Sequence, residues 1–233
     1  MQQTSAQKQQ HFYDTRFKKL ATTEMEETLR DFYFQKLVAI LSEHKPFLAG
    51  VTALEVGVGE GILMQKMMAR FPQCQFSGID ISEKNIEKAR AKGLTVSVGD
   101  ADNLVMPQKY DLVFGTALLH HLDDIPGFFK SAAKLLKPGG ALLFGAEPVF
   151  YEYFYILYHL LRGSWEIEKG MLKISVGAMQ QALEPLYTNI RIYRHGNAFV
   201  YLSKSLGDIW NRYGLSRVPF LNDIYIYAEK KSF

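Results

Sequence analysis

The chain has 233 residues, of which 48% are apolar and 22% charged, ordinary proportions that exclude disorder as a general state beyond the Gln-rich first ten residues. Its 27 basic and 24 acidic residues leave a formal charge of +3 with no basic stripe, so no nucleic-acid partner is expected. Cys74 is the only cysteine, no apolar signal core opens the chain, and the longest apolar-aromatic run, 153–161, is shorter than the roughly 20 residues that span a bilayer; a cytoplasmic protein without stable membrane insertion is expected.

In chain order, Leu29, Phe32, Tyr33, Leu37, Ile40 and Leu41 recur at steps of three and four and predict N-terminal helix, closed by Pro46 and Gly50. From Thr52 short apolar strands alternate with amphipathic helices. Strands are predicted over 52–56, 75–79, 94–98, 110–115 and 141–145. Helices are predicted over 62–70, 83–92 and 125–136, the last ended by Pro138, Gly139 and Gly140. Such alternation implies parallel strands with helices on both faces. The last third differs: helices over 151–162, 175–186 and 202–213, and strands over 189–193 and 223–229, suggest an antiparallel finish. One domain is expected over 1–233, with an N-terminal helical cap (1–50), a core (52–147), insertions with a late strand (148–222) and a last strand (223–233).

Chemistry concentrates where strands end. Gly57, Gly59 and Gly61 follow the first strand and open a helix, a place where glycine permits a sharp turn and close approach of a ligand. A dinucleotide fingerprint would put its third glycine at position 62, which is Ile62, so a nicotinamide dehydrogenase is disfavoured. Glu55 would sit badly beside a pyrophosphate and better beside a cationic group. Asp80 ends the second strand, where a carboxylate can accept from ribose hydroxyls. Asp100 ends the third, where it and the Ala101 N–H could meet the edge of a base. Taken singly, each Asp also suits a turn or helix cap; together with the glycines they converge on one crevice.

The segments 55–61, 78–82, 98–102, 110–114 continuing to His120-His121-Leu122, and 135–140 resemble the class I S-adenosylmethionine-dependent methyltransferases. The resemblance covers about 52–147. It implies a doubly wound α/β fold: a mostly parallel seven-stranded, Rossmann-like sheet with an antiparallel last strand. It also implies S-adenosyl-L-methionine as cofactor and S-adenosyl-L-homocysteine as product. Glu55, Gly57, Gly59 and Gly61 would line the methionine part. Asp80 would hold the ribose, and Ile81 would pack on adenine. Asp100 and Ala101 would read the adenine edge, and the backbone at Gly115 and Thr116 would meet the amino group.

The methyl acceptor is expected to be a small apolar or aromatic metabolite. His120, and less so His121, are the candidates for a general base. Adjacent residues of an extended chain point opposite ways, so one of the two should face the pocket while the other packs. For the same reason no metal site is expected from His120, His121, Asp123 and Asp124. Asp123 is expected to cap the next helix, with Pro126 in its first turn. Residues 115–118 are Gly-Thr-Ala-Leu and lack the Asn/Asp-Pro-Pro-aromatic motif of similar enzymes that methylate nucleobase or glutamine amines. Tyr151, Tyr155 and Tyr158 could line an acceptor pocket or fill a core. The alternative function is an inactive cofactor-binding regulator or partner subunit. The oligomeric state is not legible.

Overall fold

A computed structural model describes residues 23–44, 50–149, 165–196 and 222–232, with 8, 10, 11, 157, 160 and 161 besides. A helix α1 (Thr23–His44) leads into β1 (Thr52–Val56), α2 (Ile62–Arg70), β2 (Gln75–Asp80), α3 (Glu83–Ala91), β3 (Val96–Val98), β4 (Tyr110–Thr116), α4 (Ile125–Leu135) and β5 (Leu136–Pro148). Then follow a short helix α5 (Trp165–Glu168), α6 (Val176–Leu183), β6 (Tyr187–Gly196) and β7 (Asn222–Lys230). The seven strands form one sheet in the order β3-β2-β1-β4-β5-β7-β6. Strands β1 to β5 pair in parallel, and β7 runs antiparallel between β5 and β6.

Period-two alternation sorts the strand side chains onto two faces. Leu54, Val56, Leu142, Phe144, Ile224 and Ile226 join the core beneath α4 and α6. Ala53, Leu112, Phe114, Leu143, Tyr225 and Tyr227 join the core beneath α1, α2 and α3. Phe128 of α4 meets Phe144 edge-on, centroids 5.2 Å apart, and both are fully buried. Burial of each ring contributes about 1.5–3 kcal/mol, and the edge-to-face pair about 0.5–1.5 kcal/mol more. On the other face the α1 residues Tyr33, Leu37, Ile40 and Leu41 are buried, and His44 stacks on Tyr227 at 4.4 Å. The helical cap is thus part of the second core.

Two expectations are corrected. The Pro138-Gly139-Gly140 segment does not separate helix from strand. Helix α4 ends at Leu135, and β5 begins at Leu136 and runs through that segment. The register slips between Tyr110 and Leu112, and Gly139 takes φ 67, so the breakers form a bulge inside the strand. The cap of α4 is Asp124, not Asp123: its side chain accepts from the Gly127 N–H, with Pro126 in the first turn. The expected helix 202–213 and most of 151–162, with Tyr151, Tyr155 and Tyr158, lie outside the described residues. No helix among the described residues is long and apolar enough to cross a membrane.

Candidate active site

The parallel strands β1, β2 and β4 end side by side, and the loops that leave them carry the predicted residues. After β1, Gly57, Gly59 and Gly61 all take positive φ (77, 54 and 81), a region closed to most side chains. The N–H groups of Gly57 and Val58 both donate to the Ile79 carbonyl at 2.9 Å, and Gly59 donates to Asp80 Oδ2 at 2.8 Å. Asp80 Oδ1 accepts from the Ser82 N–H at 2.9 Å, and Ser82 caps α3 through the Asn85 N–H. One carboxylate therefore ties the glycine turn to the start of α3. Burial raises the Asp80 pKa, opposed by these hydrogen bonds and by the charge of Arg30. Gly61 has a packing reason of its own, since a Cβ there would meet Leu94 Cδ1 at 2.1 Å.

Glu55 lies in β1, 2% exposed, and its Oε2 has no hydrogen-bond partner among the described residues. Burial pushes its pKa up to about 8, with the Arg30 guanidinium lowering it and Asp80 raising it. Arg30 comes from α1 and donates to Thr116 Oγ1 at 3.2 Å, at the end of β4. Sequence reasoning missed Arg30. Its signal was a charge at the i, i+3, i+7 spacing of the buried Tyr33 and Leu37.

Asp100 caps a one-turn helix over Ala101–Asn103, accepting from the Asp102 N–H at 3.0 Å and Asn103 Nδ2 at 2.8 Å. Ala101 opens that turn, and Ile81 is half-buried beyond β2. Gly115 is a tight spot: a Cβ there would lie 2.5 Å from the Val56 carbonyl.

His120 and His121 do not sit in extended chain. They belong to a 3-10 turn over Leu119–His121, so both are buried and their ring centroids are 3.9 Å apart. The turn is built around Glu147, a fully buried carboxylate near the end of β5. Glu147 Oε1 accepts from the Leu118 and Leu119 N–H groups at 2.8 and 2.9 Å, and Oε2 from the His120 N–H at 3.3 Å. His120 Nδ1 meets Oε2 at 2.8 Å, while His120 Nε2 lies 3.3 Å from Glu168 Oε2 of α5. A register shift between Phe144 and Glu147, with Ala146 at φ 57, turns Glu147 toward this turn.

Burial disfavours charge on the His120 ring, but the hydrogen bonds and charges of Glu147 and Glu168 outweigh it and raise its pKa to about 10. An imidazolium with both nitrogens engaged offers no lone pair to an acceptor proton. Both ring nitrogens of the candidate base thus face carboxylates. Sequence reasoning also missed Glu147 and Glu168. A charge inside the apolar 141–149 run was the available signal for Glu147.

The segment that carries the glycine turn and the strand-end acids, and the fold around it, have counterparts in known proteins. A family model described as a methyltransferase domain matches residues 53–140. Over that segment the chain is similar to methyltransferases. The chain is 38% identical over 96 residues to malonyl-[acyl-carrier protein] O-methyltransferase 1 of Ilyobacter polytropus, covering 39% of this chain and 36% of that one. It is 30% identical over 163 residues to a ubiquinone biosynthesis O-methyltransferase of Bordetella bronchiseptica, covering 59% and 64%. Its fold is similar to that of Haemonchus contortus phosphoethanolamine N-methyltransferase 2 in complex with S-adenosyl-L-methionine. That match has a TM-score of 0.67 at 17% identity, over 95% of this chain and 59% of that one. The chain spans less than two thirds of the length of each of these proteins.

Proposed function

We propose that this protein transfers a methyl group from S-adenosyl-L-methionine to a small-molecule acceptor. The observation that carries the reading is Glu55: a buried carboxylate with one open oxygen, beside three positive-φ glycines and across from Asp80. An incoming ammonium group supplies what that oxygen lacks, and the turn at Gly57 and Gly59 lets the methionine part approach the backbone. Asp80 faces the same crevice and offers acceptor capacity to ribose hydroxyls. Ile81, Asp100 and Ala101 follow at the next strand ends, in position for adenine, and Gly115 and Thr116 complete the wall. Gly61 shapes the turn from behind.

The cofactor brings an activated sulfonium methyl, so the chain has to align an acceptor with the S–CH3 bond and exclude water. In this reading His120 positions the turn after β4 rather than taking a proton, and His121 packs beside it. Acceptors that are already nucleophilic need no base. Two relatives methylate oxygen by name, one on an acyl-carrier protein, which makes carrier-bound acids worth testing beside free apolar or aromatic metabolites.

The test combines calorimetry with S-adenosyl-L-homocysteine and a labelled-methyl screen against metabolite extracts and acylated carrier protein. Binding together with acceptor-dependent label transfer supports the reading. Binding without transfer to any acceptor would favour the regulatory alternative, and absence of binding would overturn the cofactor assignment.

A further inference from the structure

We infer that His120, His121 and Glu168 form a divalent transition-metal site with an open fourth position. The inference does not rest on the methyl-transfer reading. Each residue offers one ligand atom, and these atoms lie within 4.8 Å of one another, all three residues being buried. Two imidazoles and a carboxylate are a zinc-type donor set, whereas magnesium and calcium prefer oxygen alone.

The spacing suits an ion. Tetrahedral bonds of about 2.0–2.2 Å place neighbouring ligand atoms roughly 3.3–3.6 Å apart. His120 Nε2 and Glu168 Oε2 stand 3.3 Å apart already. The remaining ligand-atom separations are all within 4.8 Å. Divergence of adjacent histidines was the reason to expect no metal, and the 3-10 turn removes it: the two rings lie side by side.

The surroundings match a built site. Glu147 holds His120 at Nδ1, which fixes the ring and aims Nε2 at the other ligands, the arrangement that orients metal-bound histidines. The same carboxylate is anchored by backbone N–H groups, so it cannot swing away. From the far side, the segment Lys169–Lys173 presses on the turn. Gly170 packs against the His120 carbonyl so closely that a Cβ would stand 1.7 Å from it, and Lys173 Nζ donates to the Leu122 carbonyl at 3.1 Å. Charge also balances. Glu147 and Glu168 bring two negative charges to a buried place, and a divalent cation between neutral imidazoles neutralises both.

The site lies after β4, at the end of the sheet where open α/β folds bind ligands. Its fourth position would take water or an oxygen of the acceptor, which the ion would polarise.

The test uses tag-free, chelator-treated full-length protein titrated with Co2+, followed by displacement with Zn2+. One equivalent should saturate a visible d–d spectrum of tetrahedral intensity, without the thiolate charge-transfer band that Cys74 would give. Glu168→Gln and His121→Asn should each weaken Zn2+ affinity tenfold or more, while His195→Asn leaves it unchanged. The wild-type spectrum remains decisive if either variant fails to fold. No saturable binding, a thiolate band, or affinities unchanged in both ligand variants would overturn the site.

Discussion

Gly59 donates its backbone N–H to Asp80 Oδ2 across 2.8 Å, joining the turn after β1 to the end of β2. Asp80 therefore shapes the turn, and in the proposed reading it also offers its carboxylate to a ribose. Asp80→Ala should lose both. Cofactor affinity should fall tenfold or more, and stability by about 1–3 kcal/mol from the Gly59 and Ser82 N–H groups left without their acceptor. Asp80→Asn keeps one acceptor but turns its N–H2 toward either the Gly59 or the Ser82 N–H, so it should lose part of that stability while still binding weakly. Calorimetry and urea denaturation of the two variants separate these effects; unchanged affinity in Asp80→Ala would remove Asp80 from the cofactor site.

In the proposed reading, Glu55 should make cofactor binding depend on pH. Its pKa stands near 8 in the empty protein against an ordinary 4.5, so it holds its proton in neutral solution. A bound ammonium requires the carboxylate. Affinity should therefore rise with pH between about 6 and 7.5, approaching tenfold per unit. The same shift makes the apo fold lose stability as pH rises from 4.5 toward 8, because the unfolded chain has already released that proton. Glu55→Gln should flatten both profiles. Calorimetry across pH with S-adenosyl-L-homocysteine is the check, and an unchanged slope in Glu55→Gln would assign the dependence elsewhere.

The core of this fold was legible because it is local. The bounds of β1 and α2 follow from an apolar strand, a glycine turn and an amphipathic helix in immediate succession, and they agree with the structure. What was not legible depends on long-range pairing. Insertion of β7 between β5 and β6 follows from hydrogen bonds between segments about 80 residues apart, which no local pattern encodes. Pro138 and the glycines after it read as a stop because a bulge and a loop share the same composition. The glycine turn and Asp80 were visible as motif residues. Arg30, Glu147 and Glu168 were not, since each is brought to the site by a helix or a bulge distant in sequence.

Gly115 should tolerate no side chain. It sits in β4 with positions for a Cβ 2.5 Å from the Val56 carbonyl and 2.8 Å from Phe144 Cε1. The carbonyl belongs to a central strand and cannot yield as a flexible side chain does. Gly115→Ala should cost about 1–3 kcal/mol or more, read as a lower urea midpoint, and cofactor affinity should drop with it. Gly59→Ala is the comparison: open space surrounds its Cβ, and the cost there comes from φ 54 alone. Equal stability of Gly115→Ala and wild type would show that β1 and β4 can separate more than this packing allows.

Glu147 should prove the costliest single residue at the site. Its carboxylate accepts three backbone N–H groups and faces the His120 ring, all of it buried. Glu147→Ala leaves those donors without an acceptor and strips the ring of its partner, a loss of about 3–5 kcal/mol by the usual cost of breaking a buried charge pair. Glu147→Gln is not a mild change here. Its amide can accept at only one atom, so an N–H2 must face either the Leu118 and Leu119 donors or those of His120. Both variants should melt early and lose cofactor affinity, because the Leu118 side chain beside Gly57 shifts with the turn. A double-mutant cycle with His120→Ala tells the charge pair from the backbone bonds. The double variant should be less destabilised than the sum of the two singles, by roughly 0.5–3 kcal/mol. Strict additivity would show that Glu147 acts through the N–H groups alone, and full stability of Glu147→Ala would show that apolar packing holds the turn without it.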